Sequence, residues 1–192
     1  MHEPMITETL PDGTSFNMLL VEGGTFDMGS KEKENVIWRE APIHQVKLDS
    51  FYIGKFPVTQ GLWKSVMKGA MPSYFRGDNR PVEQVSWEDV ELFVKELNAQ
   101  TGRVYRLPTE AEWEFAARGG LQSRRYRYAG AHKLKEVGWY SENSHSETKP
   151  VGMKLPNELG LYDMSGNVWE WCQDWLSERY YEECHKQSED HR

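Results

Sequence analysis

GLYDMSGNVWEWC, residues 160–172, sets two glycines, an Asp and an Asn beside two tryptophans and a glutamate. Gly166 and Asn167 adopt positive φ at little cost, so the stretch predicts a tight turn. After the turn, Trp169 and Trp171 fall on one face of an extended strand, with Val168, Glu170 and Cys172 on the other. The tryptophan face is expected to enter the core. Glu170 is then directed back towards the turn, where Asp163 also lies. Two carboxylates plus turn carbonyls form an oxygen-only set of the kind that suits Ca²⁺. The same two acids could instead accept hydrogen bonds from turn amides.

The 192 residues suffice for one domain with a sizeable core and would make two cramped ones. Apolar residues at 38% and charged residues at 28% mark a globular chain. Eight tryptophans supply rings that can fill a core where regular structure is sparse. A net charge of −7 argues against a nucleic-acid surface. The basic and aromatic run SRRYRYAG, residues 123–130, therefore reads as tyrosines packed in the core and arginines in local salt links. No apolar run approaches the roughly 20 residues needed to span a bilayer. MHEPMITETLPDG, at the N-terminus, lacks the basic and apolar regions of a secretory signal. The expectation is a soluble cytoplasmic protein, with a mature secreted or periplasmic chain as the alternative.

Cys172 and Cys184 match neither a disulfide framework nor a zinc spacing, and read as two ordinary thiols, one of them buried. The six histidines form no His-x-His or His-x-x-x-His pair.

Residues 16–29 predict two short strands about Gly23-Gly24, and residues 30–42 a surface loop. In HQVKLDSFYIGKFPVT, alternating Val46, Leu48, Phe51 and Ile53 predict a strand pair or one bent strand. Three helices are better marked. One follows the N-cap Thr59, carries Leu62, Trp63, Val66 and Met67, and stops at Gly69. Another opens at Ser86 with Asp89 near capping-box spacing and ends at Gly102. The last opens at Thr109 with Glu112 in the capping-box position and stops at Gly119-Gly120. Residues 121–160, rich in Tyr, Gly, Ser and Asn, predict long ordered loops. The whole is an α+β domain with short strands and much irregular structure.

Six runs in order carry a resemblance: FDMGS at 26–30, AP-x-H-x-V-x-L across 41–48, FYIGKFPVT at 51–59, PVEQVSWEDVELFVKELN at 81–98, YRLPTEAEWEFAARGG at 105–120 and PNELGLYDMSGNVWEWC at 156–172. In these the chain resembles the formylglycine-generating enzyme family, also called sulfatase-modifying factors. The resemblance implies a variant of the C-type-lectin-like fold, with short strands, about three helices and long ordered loops. Residues 1–15 then form an N-terminal extension, 16–175 the family-like domain without its C-terminal third, and 176–192 a C-terminal helix or tail with Leu176, Tyr180 and Cys184 on one stripe. It further implies a calcium site with side-chain oxygens from Asp163 and Glu170 and carbonyls from Gly166 and Val168. Asp163 stands where the family also uses Asn. The family's other calcium site falls near residues 139–150, where the shortened WYSENSHSETKP allows no ligand to be carried over.

Family enzymes oxidise a sulfatase cysteine to formylglycine with O₂ through a close cysteine pair that binds copper(I), an ion suited to soft thiolates. This sequence has neither that pair nor the R-V-x-R-G-G-S-W-like segment before it. The expectation is a non-catalytic binding or interaction module with a structural Ca²⁺, no catalytic residues, and a protein or peptide ligand. The alternative is a truncated or partner-completed copper oxidase, in which copper enters only if another chain completes the site. A face left open by the missing segment would favour self-association.

Overall fold

The computed structural model describes residues 3–30, 42–69 and 71–174. The 31–41 part of the expected surface loop and the expected tail helix at 176–192 lie outside the described residues.

Among the described residues, five short strands form two antiparallel sheets. β1 (Met5–Thr9), β2 (Ser15–Val21) and β5 (Phe51–Gly54) run in the order β1-β2-β5, with Met5 opposite Leu19 and Val21 opposite Phe51. β3 (Gly24–Met28) pairs with β4 (His44–Leu48), Phe26 opposite Val46. The two strands expected about Gly23-Gly24 are present, yet they belong to different sheets. So do β4 and β5, which settles the open choice at residues 44–54 as two strands of separate sheets. The two links cross side by side. The Gly23 amide donates to Ser50 Oγ at 3.0 Å, and a Cβ on Gly23 would sit 2.5 Å from the Leu48 carbonyl oxygen. Only glycine lets the backbones approach so closely there.

The helices open where their caps place them. α1 (Gln60–Met67) has Thr59 accepting from the Leu62 amide, and its left-handed end residue is Lys68 rather than Gly69. α2 (Trp87–Thr101) and α3 (Glu110–Ala117) each carry a complete capping box, Ser86 with Asp89 and Thr109 with Glu112. Each reciprocal box satisfies two amides that the first turn leaves unbonded. A short α4 (Leu134–Val137) is set in the otherwise irregular 121–160 region.

Two apolar clusters hold these elements. Leu62, Trp63 and Val66 of α1 meet Phe93 and Leu97 of α2, with the Trp63 and Phe93 rings stacked at 5.0 Å. Val21, Phe115, Ala116, Leu161 and Met164 form the second cluster, where Phe26 and Phe115 lie 5.0 Å apart. Burying each large side chain contributes roughly 1.5–3 kcal/mol.

One expectation is overturned. Residues 169–172 form no strand, and the tryptophan face does not enter the core: Trp169 is 96% and Trp171 47% exposed. Among the described residues no neighbouring strand pairs with this segment, and the apolar side chains buried from this stretch are Leu161 and Met164. Trp171 rests edge-on against Trp87 at 5.8 Å and donates its indole N–H to the Val85 carbonyl at 3.3 Å.

Candidate functional site

The 160–170 turn is built from left-handed residues. Asp163, Gly166 and Asn167 have φ of 59°, 113° and 68°. At Gly166 glycine is required twice over, by that φ and because a Cβ would lie 2.3 Å from the Trp139 carbonyl oxygen. Asn167 fixes the turn from inside. Its Oδ1 accepts the Lys149 amide at 2.9 Å and its Nδ2 donates to the Lys149 carbonyl at 3.0 Å. Ser165 Oγ accepts the Ala129 amide at 3.0 Å. With the Asn167 amide donating to the Trp139 carbonyl at 2.9 Å, the turn is tied to three separate loops.

Asp163 is buried, 3% exposed, and its carboxylate accepts the Gly152 amide at 2.8 Å and Asn167 Nδ2 at 3.4 Å. Burial raises its pKa, and those two donors lower it part of the way back. Glu170 is exposed as a residue, and desolvation of its carboxyl group by the surrounding atoms pushes it up to about 7. The Trp113 indole N–H, buried and without a full hydrogen bond among the described residues, pulls it back part of the way, and the Asp163 charge adds to the rise. The structure therefore brings Asp163 and Glu170 within electrostatic reach of one another, with no Lys or Arg among the groups that set either pKa.

Such an uncompensated acid pair fits a divalent cation, whose charge would favour both ionised forms. Gly166 contributes a carbonyl that already accepts the Val168 amide at 3.0 Å and keeps a second lone pair. No three His, Cys, Asp or Glu side chains gather for a metal among the described residues, so a cation here would draw the rest of its ligands from backbone oxygens.

Cys172 is half-buried. Its thiol is pushed up to about 12, first by burial and then by the carboxylates of Glu110, Glu170 and Asp174. A thiol in this setting stays protonated at neutral pH. Cys184 lies outside the described residues.

Sequence reasoning missed Asn157 and Trp113. Asn157, 5% exposed, donates to the Ala116 carbonyl at 2.7 Å and accepts the Leu161 amide at 3.1 Å, joining the end of α3 to the turn. The Pro-Asn pair before Gly160 was the available signal. Trp113 could not be placed beside Glu170 from spacing alone, because the two are brought together by tertiary packing.

Beside the turn, β3, β4, α3 and residues 123–129 enclose a groove of about 1080 Å³, floored by Phe26, Trp113 and Phe115 and edged by Arg125 and Arg127. The Arg124 amide donates to Glu158 at 2.7 Å, and the Arg127 guanidinium lies 5.6 Å from the Tyr128 ring. Among the described residues no helix is long and apolar enough to cross a membrane.

Residues 6–190 match the family model described as "Sulfatase-modifying factor enzyme 1-like domain". The chain is 37% identical to the chaperone protein LppX of Paenibacillus barcinonensis, over 85% of this chain and 73% of that one. It is 42% identical to the formylglycine-generating enzyme of Streptomyces coelicolor, over 60% of this chain and 39% of that enzyme. Among solved structures, Treponema denticola variable protein 1 aligns with a TM-score of 0.80 at 29% identity, covering 92% of this chain and 78% of that one. PvdO from Pseudomonas aeruginosa aligns with a TM-score of 0.75 at 27% identity, over 94% and 78%.

Proposed function

The chain belongs to the formylglycine-generating enzyme, or sulfatase-modifying factor, family, and on that premise we propose that it is a non-catalytic binding module. The observation that carries this reading is the spacing of the two cysteines, Cys172 and Cys184, which have eleven residues between them and so do not form the close pair that the resemblance calls for. Copper(I) is held by deprotonated sulfur, and the half-buried Cys172 thiol is pushed up to about 12 by burial and by nearby carboxylates. The relative LppX bears the name of a chaperone protein rather than an oxidase, which supports an interaction role.

The ligand surface in this reading is the groove beside α3, suited to a protein or peptide segment with an apolar side chain over Phe26 and Phe115. Trp169 and Trp171 offer a second exposed surface, through which copies of the chain would self-associate. A Ca²⁺ held by Asp163, Glu170 and the carbonyls of Gly166 and Val168 would neutralise the acid pair and stiffen the turn beside the groove. Its chemistry would be structural.

A second reading, an oxidase completed by another chain, draws on one fact: the chain spans 39% of the Streptomyces enzyme it matches.

Incubating the chain with copper, a reductant, O₂ and a cysteine-containing sulfatase peptide separates the two readings. The binding-module reading expects no formylglycine by mass spectrometry, and turnover would overturn it. Calcium should raise the melting temperature of the wild type and leave Glu170→Gln almost unchanged. Identical wild-type curves in calcium and in chelator would remove the calcium site.

A further inference from the structure

The family resemblance implies a second calcium near residues 139–150, and the residues found there do not fit one. A cation needs free oxygen ligands, and the side-chain oxygens of Asn143 and Glu147 are already engaged, which leaves the neutral Thr148 hydroxyl as a buried oxygen without a hydrogen-bond partner among the described residues. Asn143 Oδ1 accepts the Tyr140 amide at 2.8 Å, and its Nδ2 donates to the Gly138 carbonyl at 3.0 Å. Both oxygens of Glu147 are taken, Oε1 by Lys149 Nζ at 2.5 Å and Oε2 by Arg80 Nη2 at 3.3 Å.

Positive charge is moreover already in place. Lys154 Nζ lies 4.0 Å from the Trp139 ring centre and donates to the Lys135 carbonyl at 2.7 Å. Lys149 Nζ lies 5.9 Å from the same ring. Two ammonium groups thus share one indole, and a guanidinium joins Lys149 on the single carboxylate. A divalent ion placed here would meet three like charges at short range.

We infer that the ammonium groups of Lys149 and Lys154 take the place of a metal ion in the 138–154 segment, which binds no calcium. Lys154 clamps Trp139 to the end of α4. Lys149 holds Glu147 on one side, while Asn167 grips its backbone on the other. The Gly152 amide, between the two lysines, is the donor on Asp163. The clamp therefore positions one wall of the 160–170 turn without a metal of its own. The inference depends on the proposed calcium site only for the total count of ions.

Calcium titration calorimetry on the full chain and on Glu170→Gln gives the count, and melting of Lys149→Met and Lys154→Met in calcium and in chelator reads the clamp. The wild type should bind no more than one ion and Glu170→Gln none. Each lysine variant should melt about 2–4 °C lower, equally with calcium and with chelator. Lys154→Arg, which keeps a cation over Trp139, should melt within about 1 °C of the wild type. Calcium binding that persists in Glu170→Gln and disappears on adding Glu147→Gln would overturn the inference, as would lysine variants that melt like the wild type. A wild type that binds no calcium would remove the site at Glu170 while supporting a metal-free 138–154 segment.

Discussion

Asn167 hydrogen-bonds both backbone groups of Lys149, the amide at 2.9 Å and the carbonyl at 3.0 Å. A side-chain amide is well matched to this task, since it offers an acceptor and a donor side by side, like one rung of a sheet. Asn167 also tolerates its φ of 68° better than most residues. Asn167→Ala should lose both bonds and add backbone strain, costing about 2–4 kcal/mol. Asn167→Gly loses the same bonds without the strain and should cost about 1 kcal/mol less. Urea unfolding of the two variants measures the difference. Equal losses would mean that the left-handed backbone contributes nothing.

Arg106 and Glu112 form a forked ion pair, with bonds of 2.6 and 2.7 Å, and Glu112 also accepts the Thr109 amide at 2.8 Å. Burial acts to raise the Glu112 pKa, but these partners outweigh it and the net shift is downward. The sign follows from linkage. A carboxylate depressed in the folded state contributes stability that is complete above its unfolded pKa and is lost as pH falls through the lower folded value. Glu112→Gln should therefore flatten the loss of stability below about pH 4.5, as read by urea midpoints across pH 2–6. An unchanged acid limb would remove Glu112 from the account.

Cys172 should react slowly with alkylating reagents. In a Cys184→Ser background the thiol, pushed up to about 12 by burial and three nearby carboxylates, is expected to react more than tenfold slower than a free cysteine at pH 7.5. Mass spectrometry after timed iodoacetamide treatment measures this. A rate equal to that of free cysteine would contradict the buried, acidic setting.

Trp169, 96% exposed, gains almost nothing from the fold of its own chain. Trp169→Ser should leave unfolding stability within about 0.5 kcal/mol and reduce both self-association by light scattering and binding of an apolar dye. A loss of several kcal/mol would instead place the ring in a packed environment.

Signals carried within a few residues survived best in the passage from sequence to structure. Thr59, Ser86 and Thr109 cap their helices because an N-cap side chain needs only an amide two or three residues ahead. Strand partnering was less legible, since Gly23 and Ser50 place consecutive strands in different sheets. β1 escaped notice for another reason. Its half-buried positions are Ile6 and Glu8, and Glu8 binds the Arg103 guanidinium at 2.6 Å and the Tyr105 hydroxyl at 2.8 Å. A strand that turns a carboxylate inward shows no period-two apolar pattern. At the candidate site, the left-handed turn at Gly166 and Asn167 was legible because both residue types adopt positive φ at little cost. The fate of Trp169 and Trp171 was not. Period two says which residues share a face but not whether another element covers it.

The proposed binding-module role requires that the chain's thiols hold no copper(I). A copper(I) titration against a chromophoric competitor tests it most directly. No tight stoichiometric binding by the chain is expected, and no difference between the wild type and Cys172→Ser. Tight one-to-one binding that Cys172→Ser abolishes would contradict it.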